Sequence, residues 1–531
     1  MLNVNPFENH VMARILDFLD SKTPWQRGLW EAGVALTIKE VLQASEAVLA
    51  GVLSAATLQN LSSHAIELIG RDASFGDDHQ KKLLQSSLRS DSKNGGIAFN
   101  GVDYRIISNL AAEIGHDYLR RWSVCLRPGH RINRAERVAR GIASHLVDCG
   151  FSSDYLHRWW NYKTIHDPAL YSLSELLEEA HAMLSKPPKD YELLVAFTHA
   201  PIPKTKLEPS AWLTNTEVSE WLKAHSFSVR DLRQRGGMKL RINARDIFSA
   251  AETAAEIVDG LTTRVSLGTY KSLEPISTVW IVGEKNPIPL RSARRRVEIH
   301  ALSRENQIYS NLHSAQIDAG IELAASLNTE LTSAAIAGGW AAIESLLTGP
   351  GDRERILAAD RIAAITACSL PRAELTALSY KLEEQGGATA LQLKACNSNR
   401  DRAAIVAGLI ASATPPTFPG ESDSAAVARV SDLLLRPDRV LHDIENHLSA
   451  AFRRLYRHRN MVLHWGKTKA VGIKSCLRAV APLVGAGLDR IAHAAFTEKL
   501  EPLELAARAE IRLGTLGSPS ACSVVDLLET I

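Results

Sequence analysis

One stretch of the C-terminal half, LSAAFRRLYRHRNMVLHWG at residues 448–466, decides how that half is interpreted. Four apolar residues recur in it at intervals of four, three and seven: Leu448, Phe452, Leu455 and Val462. At about 100° per residue they form one apolar stripe on a helix, and Arg459 falls in the middle of it. Because desolvating an unpaired guanidinium is costly, we expect Arg459 to be paired or to lie at a cleft or an interface.

Arg459, Asn460 and His464 are the candidate catalytic residues of this stretch. Asn460 and His464 share a helix face, whereas Arg459 and His464 lie about 140° apart on an ideal helix. Gly466 is placed to end the helix soon after His464. A frayed last turn, or a second copy of the chain across a two-fold axis, would bring the imidazole and the guanidinium together. The geometry therefore favours a site built at a dimer interface.

The segment RNMVLH at 459–464 resembles the R-[polar]-xxx-H signature of HEPN ribonucleases. Its setting, LYRHRNMVLHWG, is similar to the corresponding helix of the Apea-like branch of that superfamily. The stretch GWAAIESLL at 339–347 is similar to the first-helix pattern W-x-x-[LI]-E-x-L of the same branch, and the next predicted helix also fits. The resemblance covers roughly residues 315–500, which leaves more than half of the chain unexplained.

The resemblance implies a homodimeric, metal-independent endoribonuclease without a cofactor. His464 would exchange a proton with the ribose 2′-hydroxyl or the leaving oxygen, and Arg459 would stabilise charge developing at phosphorus. Asn460 would orient the pair, and the products would carry a 2′,3′-cyclic phosphate. Proteins of this branch are associated with antiphage defence and toxicity in bacteria. By analogy, the first 300 residues would sense a phage-derived trigger or hold the nuclease inactive.

The same residues also have a structural interpretation. An arginine bonded to helix carbonyls and a histidine at a helix C-terminus both stabilise a helix. Glu344 resembles a position facing the cleft of the family, and a structural glutamate that balances nearby arginines is the equal alternative. Some HEPN domains act only as dimerising or RNA-binding scaffolds. A non-catalytic, dimeric nucleic-acid-binding or sensor scaffold is therefore the alternative function. A helical regulator of transcription has less support, because the sequence has no convincing helix-turn-helix.

Clusters of basic residues indicate where nucleic acid would bind. A basic surface is predicted around the motif, from Arg453, Arg454, Arg457 and His458 before it and Lys467 and Lys469 after it. Of these, Arg454, Arg457 and His458 are predicted to bind substrate, with a solvated charged face as the alternative. A second cluster lies in the N-terminal region: Arg120, Arg121, Arg127, Arg131, Arg134, Arg137 and Arg140. A third surrounds a predicted hairpin: Arg230, Arg233, Arg235, Lys239, Arg241 and Arg245. The alternative is an ordinary charged helix for the second cluster and a plain basic surface for the third. Paired tryptophans, Trp159 and Trp160, are more often core residues than base-stacking ones.

Composition narrows the class of protein but names no partner. The chain has 531 residues, and its 61 Lys and Arg against 59 Asp and Glu leave a formal net charge of +2, so any attraction for nucleic acid must be local. Six scattered cysteines have no metal-ligand spacing, which favours a reduced compartment and predicts no metal site. No stretch of about 18 apolar residues and no signal-like start occurs, so we expect a cytoplasmic protein without a membrane segment.

The periodicity predicts a mainly α protein in four parts. Residues 1–185 form a helical N-terminal domain, in which 70–100 is an exposed loop or a helix between two loops. Residues 190–300 form a small α+β domain of order βαββαβ, which suits a split βαβ sandwich. In it Asn215 caps a helix, and Gly236 and Gly237 form the turn of a hairpin. Residues 310–500 form a HEPN-like bundle with an insertion around 370–430, and 501–531 form an extension. Helices of the bundle are predicted at 317–347, 352–369, 375–384, 403–413, 440–464 and 473–496.

Overall fold

The computed structural model describes residues 5–92, 96–126, 134–165, 171–201, 211–228, 232–293, 296–309, 314–329, 331–519 and 521–530. Over these residues the chain is mainly helical, and a small antiparallel sheet lies between two helical regions in the sequence. The predicted mainly α class with a small α+β segment is confirmed in this coarse form.

The described part of the N-terminal region forms a helical layer around one apolar core. Its α-helices are α1 (Pro6–Leu19), α2 (Val34–Leu49), α3 (Ala55–Arg71), α4 (Asp78–Ser92), α5 (Val102–His116), α6 (Tyr118–Cys125), α7 (Ala135–Asp148), α8 (Ser153–Ile165) and α9 (Leu173–Ser185), with a 3-10 turn at Trp25–Arg27. Because α4 lies between two loops, the second interpretation of residues 70–100 is correct. Pro187 and Pro188 follow α9, where they cannot continue a helix.

The sheet is antiparallel, with strand order β2-β3-β1-β4-β5. Its elements in chain order are β1 (Lys189–His199), β2 (Trp212–Leu213), α10 (Asn215–Ala224), β3 (Gly236–Ala244), α11 (Ile247–Thr269), β4 (Glu274–Ile281) and β5 (Ile288–Pro289). In the central strand β1, Leu193 lies opposite Leu240 of β3 and Ile281 of β4. Successive β1 side chains point to opposite faces, so Leu193 packs with α11 and Leu194 packs with α10. The sheet is thus covered by one helix on each face, unlike the expected split βαβ sandwich.

Two local predictions in this region are wrong. Gly236 and Gly237 do not form a turn but begin β3, where they pair with Phe197 and Ala196 of β1. A Cβ on Gly237 would lie 2.8 Å from Val218 Cγ2, so the glycine marks close packing of α10 on the sheet. The helix α10 is capped one residue before the predicted position, by Thr214, whose hydroxyl accepts from the backbone N–H of Glu217.

The C-terminal region is a bundle of longer helices. Its elements are α12 (Ala301–Arg304), α13 (Ala315–Ala325), α14 (Thr332–Leu347), α15 (Leu357–Gln385), α16 (Gly387–Lys394), α17 (Asn399–Ile410), α18 (Glu421–Leu435), α19 (Pro437–Trp465), α20 (Ile473–Glu498) and α21 (Pro502–Gly514), with a 3-10 turn at Ser326–Asn328. The helices predicted at 403–413, 440–464 and 473–496 correspond to α17, α19 and α20. The predicted loop around residues 415–419 separates α17 from α18.

Other helix boundaries in the bundle differ from the prediction. The single helix expected at 317–347 is broken between α13 and α14, because the chain reverses and the two helices pack side by side. The two helices expected at 352–369 and 375–384 form one continuous helix, α15, with Pro371 inside it. A proline removes one helical hydrogen bond, and the packing of α15 on α17, α19, α20 and α21 outweighs that local loss.

The helix α19 lies between the N-terminal and C-terminal cores. Met461 belongs to the core of the N-terminal helices, whereas its neighbour Val462 belongs to that of the bundle. A second connection is ionic: Arg27 Nε lies 2.7 Å from Glu374 Oε1, and Arg27 Nη1 lies 2.8 Å from Asp423 Oδ1. The N-terminal helices are therefore packed directly against the helix that carries the predicted motif.

Candidate functional site

The predicted catalytic residues lie at the C-terminal end of α19. Gly466 ends the helix in the left-handed conformation, with φ +67°, as the sequence predicts. The backbone N–H of Lys467 donates to the carbonyl of Met461 at 3.1 Å, which completes the helix cap. The last turn is therefore intact, and His464 lies exposed on it.

The three catalytic candidates are brought together within one chain. Arg459 Nη1 lies 3.0 Å from Asn460 Oδ1, to which it donates, and 3.2 Å from His464 Nε2. A guanidinium has only donors, so His464 Nε2 must be unprotonated to accept from it. Asn460 is buried and Arg459 is half-buried, so the buried amide fixes one side of the guanidinium. The expectation that convergence requires a frayed turn or a second chain is wrong, because the long arginine side chain spans the 140° angle.

The three predicted substrate-binding residues do not form a surface. Arg454, Arg457 and His458 are between 1% and 6% exposed, and all three surround Glu40 of α2. Glu40 Oε2 accepts from Arg454 Nε at 2.9 Å and from Arg457 Nη2 at 3.3 Å. His458 Nε2 lies 3.6 Å from Glu40 Oε1. The prediction of a basic path for RNA at these residues is therefore wrong, because α2 covers this face of α19 and supplies a carboxylate.

The buried charges around Glu40 shift one another's pKa values. Burial by itself would raise the pKa of Glu40, but Arg454, His458 and Arg457 together hold it at about 2. Burial lowers the pKa of Arg457 to about 10, although Glu40 opposes this change. Burial also lowers the pKa of His458. The group is thus an internal ion cluster that joins α2 to α19, and sequence analysis missed it because Glu40 is about four hundred residues away along the chain.

The tryptophan helix that contributed to the resemblance packs beside the motif helix. The rings of Trp340 and Tyr456 have centroids 4.8 Å apart. Trp340 Nε1 donates to Glu344 Oε2 at 2.7 Å, and Arg355 donates to the other oxygen of Glu344. Glu344 therefore balances an arginine and anchors a buried indole, which matches its structural interpretation.

The basic face of α7 points toward α19 across a cavity of 710 Å³. Arg134 Nη1 lies 3.2 Å from Asp443 Oδ2, and Arg140 Nη1 lies 3.4 Å from His447 Nδ1. Arg137 Nη1 donates to the carbonyl of Arg71. Arg134 and Arg140 thus contact α19, whereas Arg137 bonds within the N-terminal region, and of the three only Arg134 is exposed. Arg127 and Arg131 of the same predicted cluster lie outside the described residues.

Both tryptophans and two residues of the predicted hairpin cluster have local partners, whereas Arg233, Arg235 and Lys239 of that cluster are exposed. Trp160 is fully buried in the N-terminal core, and Trp159 packs against that core. Arg241 pairs with Asp190 of the neighbouring strand, and Arg245 donates to backbone carbonyls at the end of α9. Arg230 lies outside the described residues. The base-stacking and hairpin interpretations thus gain no support from these contacts.

Comparison with protein families, with curated proteins and with solved structures found no match for this chain. Among the helices described, none combines the length and apolarity needed to cross a lipid bilayer. In the same residues, no group of three or more His, Cys, Asp or Glu side chains is arranged to hold a metal ion. The HEPN resemblance therefore stays a prediction that depends on the motif residues.

Proposed function

We propose that the chain is a metal-independent endoribonuclease of the HEPN type whose reactive groups are Arg459 and His464. The observation that carries the proposal is the 3.2 Å contact between Arg459 Nη1 and His464 Nε2 at an exposed helix end. An imidazole exchanges protons near neutral pH, and a guanidinium presents a planar set of donors that matches phosphate oxygens. Asn460 acts as a positioning residue, because its buried amide holds the guanidinium toward the histidine.

The proposed reaction is transesterification within RNA. His464 Nε2 accepts the proton of a ribose 2′-hydroxyl, and the 2′-oxygen forms a bond to phosphorus. The bond from phosphorus to the 5′-oxygen breaks, and that oxygen receives a proton as it leaves. Arg459 donates to the non-bridging oxygens, where negative charge increases in the transition state. The products are a 2′,3′-cyclic phosphate and a 5′-hydroxyl.

A homodimer is part of the proposal. Leu463, next to His464, is 51% exposed and offers an apolar contact for a second copy at the motif. In such a dimer the second His464 would protonate the leaving oxygen. The proposed role is RNA cleavage in the cytoplasm, in antiphage defence or as a toxin, with a phage-derived trigger sensed by the N-terminal region. That role comes by analogy with the family.

The test incubates purified full-length protein with total RNA and tRNA in EDTA and then maps the fragment ends. Wild type is expected to cleave and to leave 2′,3′-cyclic phosphate ends. His464→Ala is expected to lose about 100-fold or more in rate, which is typical of losing a general acid–base group. Arg459→Lys keeps the charge but loses the planar donors, and is also expected to lose most activity.

His442→Ala is the matched control, because His442 lies on the same helix, is exposed and is outside the motif. It is expected to cleave like wild type. Sedimentation of wild type and His464→Ala checks that both have the same oligomeric state. RNA binding without cleavage, unchanged by either motif substitution, would contradict the nuclease proposal and favour the non-catalytic scaffold.

A further inference from the structure

A cavity of 1130 Å³ lies away from the motif, where distant parts of the chain meet. Its walls come from the turn at Trp25, from the segment that follows the sheet at 296–305, and from α15, α17 and α20. Arg490 of this cavity is seventeen residues beyond Ile473, the start of α20. At about 1.5 Å per residue it lies about 25 Å along the helix axis from the end at which the motif is found. The proposed ribonuclease chemistry does not use this cavity.

Among the charged side chains that line the cavity, cations outnumber anions. There are seven Lys or Arg residues and four Asp or Glu residues. Two of the cations, Arg400 and Arg402, pair with Asp526 and Glu383 outside the lining, which leaves a formal excess of one positive charge. Lys22 and Arg296 are exposed and have no carboxylate at ion-pair distance in the part of the chain that the structure describes. Such an excess in a concave surface raises the local concentration of anions.

Arg490 is half-buried and is the least satisfied of the cavity's arginines that have an ion pair. Its nearest carboxylate contact is from Nη2 to Glu529 Oε1, at 3.7 Å. Its Nε donor is buried and has no acceptor among the described residues. Burial and the neighbouring Arg372 lower the pKa of Arg490 to about 10, although Asp489 and Glu529 oppose this change. A buried donor without an acceptor is unfavourable, so an anion bound here would stabilise the charged form.

From this arrangement we infer that the cavity binds a phosphate-bearing ligand of nucleotide size. Arg490 and Arg296 hold the phosphate groups, because guanidinium and phosphate oxygens match in charge and geometry. Trp25 is half-buried at the cavity and offers a flat apolar surface against which a base can stack. The cavity volume of 1130 Å³ is slightly above the range of about 300–1,000 Å³ found for small-molecule sites, so a nucleotide fits.

Calorimetric titration of the full-length protein in EDTA with ATP, GTP, CTP and UTP tests the inference. At least one triphosphate is expected to bind. If ATP binds, adenosine alone and inorganic phosphate alone are each expected to bind more weakly than ATP. Arg490→Lys, which removes the planar donors, is expected to weaken binding about tenfold or more. Arg296→Ala is expected to weaken it by a smaller factor. Since Arg296 is exposed and has no ion pair among the residues that the structure describes, that variant tests the site even if Arg490→Lys fails to fold.

Arg439→Ala is the matched control, because Arg439 is exposed on α19 and does not line the cavity. It is expected to bind like wild type, and so is His464→Ala, which separates this site from the proposed nuclease. The inference would be overturned if none of the four triphosphates binds. It would also be overturned if Arg490→Lys and Arg296→Ala both bind with the affinity of wild type. Binding of single-stranded RNA that depends on Arg490 and is not displaced by a triphosphate would also overturn it, in favour of an RNA path.

Discussion

Replacing Glu40 by glutamine is expected to destabilise the protein strongly, because it removes the carboxylate shared by two buried guanidinium groups. Arg454 and Arg457 both donate to Glu40 Oε2, and the side chains of all three residues are no more than 8% exposed. Removing one partner of a buried ion pair leaves a charge that is desolvated and unpaired. The usual cost is about 3–5 kcal/mol in the free energy of unfolding.

The pKa of Glu40 independently indicates the size of this loss in the free energy of unfolding. The folded-state pKa of about 2, against the ordinary 4.5, corresponds to about 3 kcal/mol at ~1.4 kcal/mol per pH unit. Since the folded-state pKa lies below the unfolded one, this stabilisation is fully present above about pH 4.5. It is lost as the pH falls toward 2. The cost of breaking a buried ion pair and the pKa shift therefore indicate a similar loss in the free energy of unfolding at neutral pH.

Urea unfolding at pH 7, followed by tryptophan fluorescence, measures the effect. Glu46→Gln is the control, because Glu46 lies on the same helix and has no ion pair in the part of the chain that is described. Adding Arg457→Met to Glu40→Gln should restore part of the loss, since it removes one of the unpaired charges. A loss below about 1 kcal/mol, or one equal to that of Glu46→Gln, would refute this account of the cluster.

Three further perturbations test the packing and the buried charges. Trp340→Ala removes a fully buried side chain, so urea unfolding should show a free energy of unfolding lower by about 3–5 kcal/mol. A loss under about 1 kcal/mol would contradict this expectation. Gly472→Ala should lower the melting temperature, because φ is +78° and the new Cβ would collide with the carboxylate of Glu40. Gly351→Ala, with open space around it, should not. Burial holds the pKa of His447 at about 3, below the unfolded value, so stability should fall as the pH drops from about 6.5 toward 3. In urea titrations at several pH values, the free energy of unfolding of His447→Gln should decrease less as the pH drops than that of wild type. An equal decrease in both proteins would argue against a neutral buried imidazole.

Much of the helical structure followed from local pattern. The prediction for α19 began three residues late and ended one residue early, since its apolar stripe is regular and Gly466 supplies a left-handed cap. The break between α13 and α14 was missed because the local residues are all compatible with a helix. In the sheet, Gly236 and Gly237 were assigned to a turn because glycine serves both turns and close packing, and only the position of α10 distinguishes the two.

The candidate site was predicted in part. The sequence located Arg459, Asn460 and His464 on one helix near its end. It did not predict that Arg459 and His464 meet within one chain, because the angle between two positions on a helix ignores the length of an arginine side chain. The cavity around Arg490 was not predicted at all, because its walls come from segments that are far apart in the sequence.

The sequence by itself determined which residues form the motif helix, where that helix ends, and that an arginine occupies its apolar stripe. These properties depend on backbone geometry and on neighbours within a few residues. Only the tertiary structure decided whether Arg454, Arg457 and His458 would meet solvent or be buried, because that outcome depends on Glu40, which folding brings to them from α2. A charged residue is stable in an interior only with a partner, and the identity of that partner is a property of the fold.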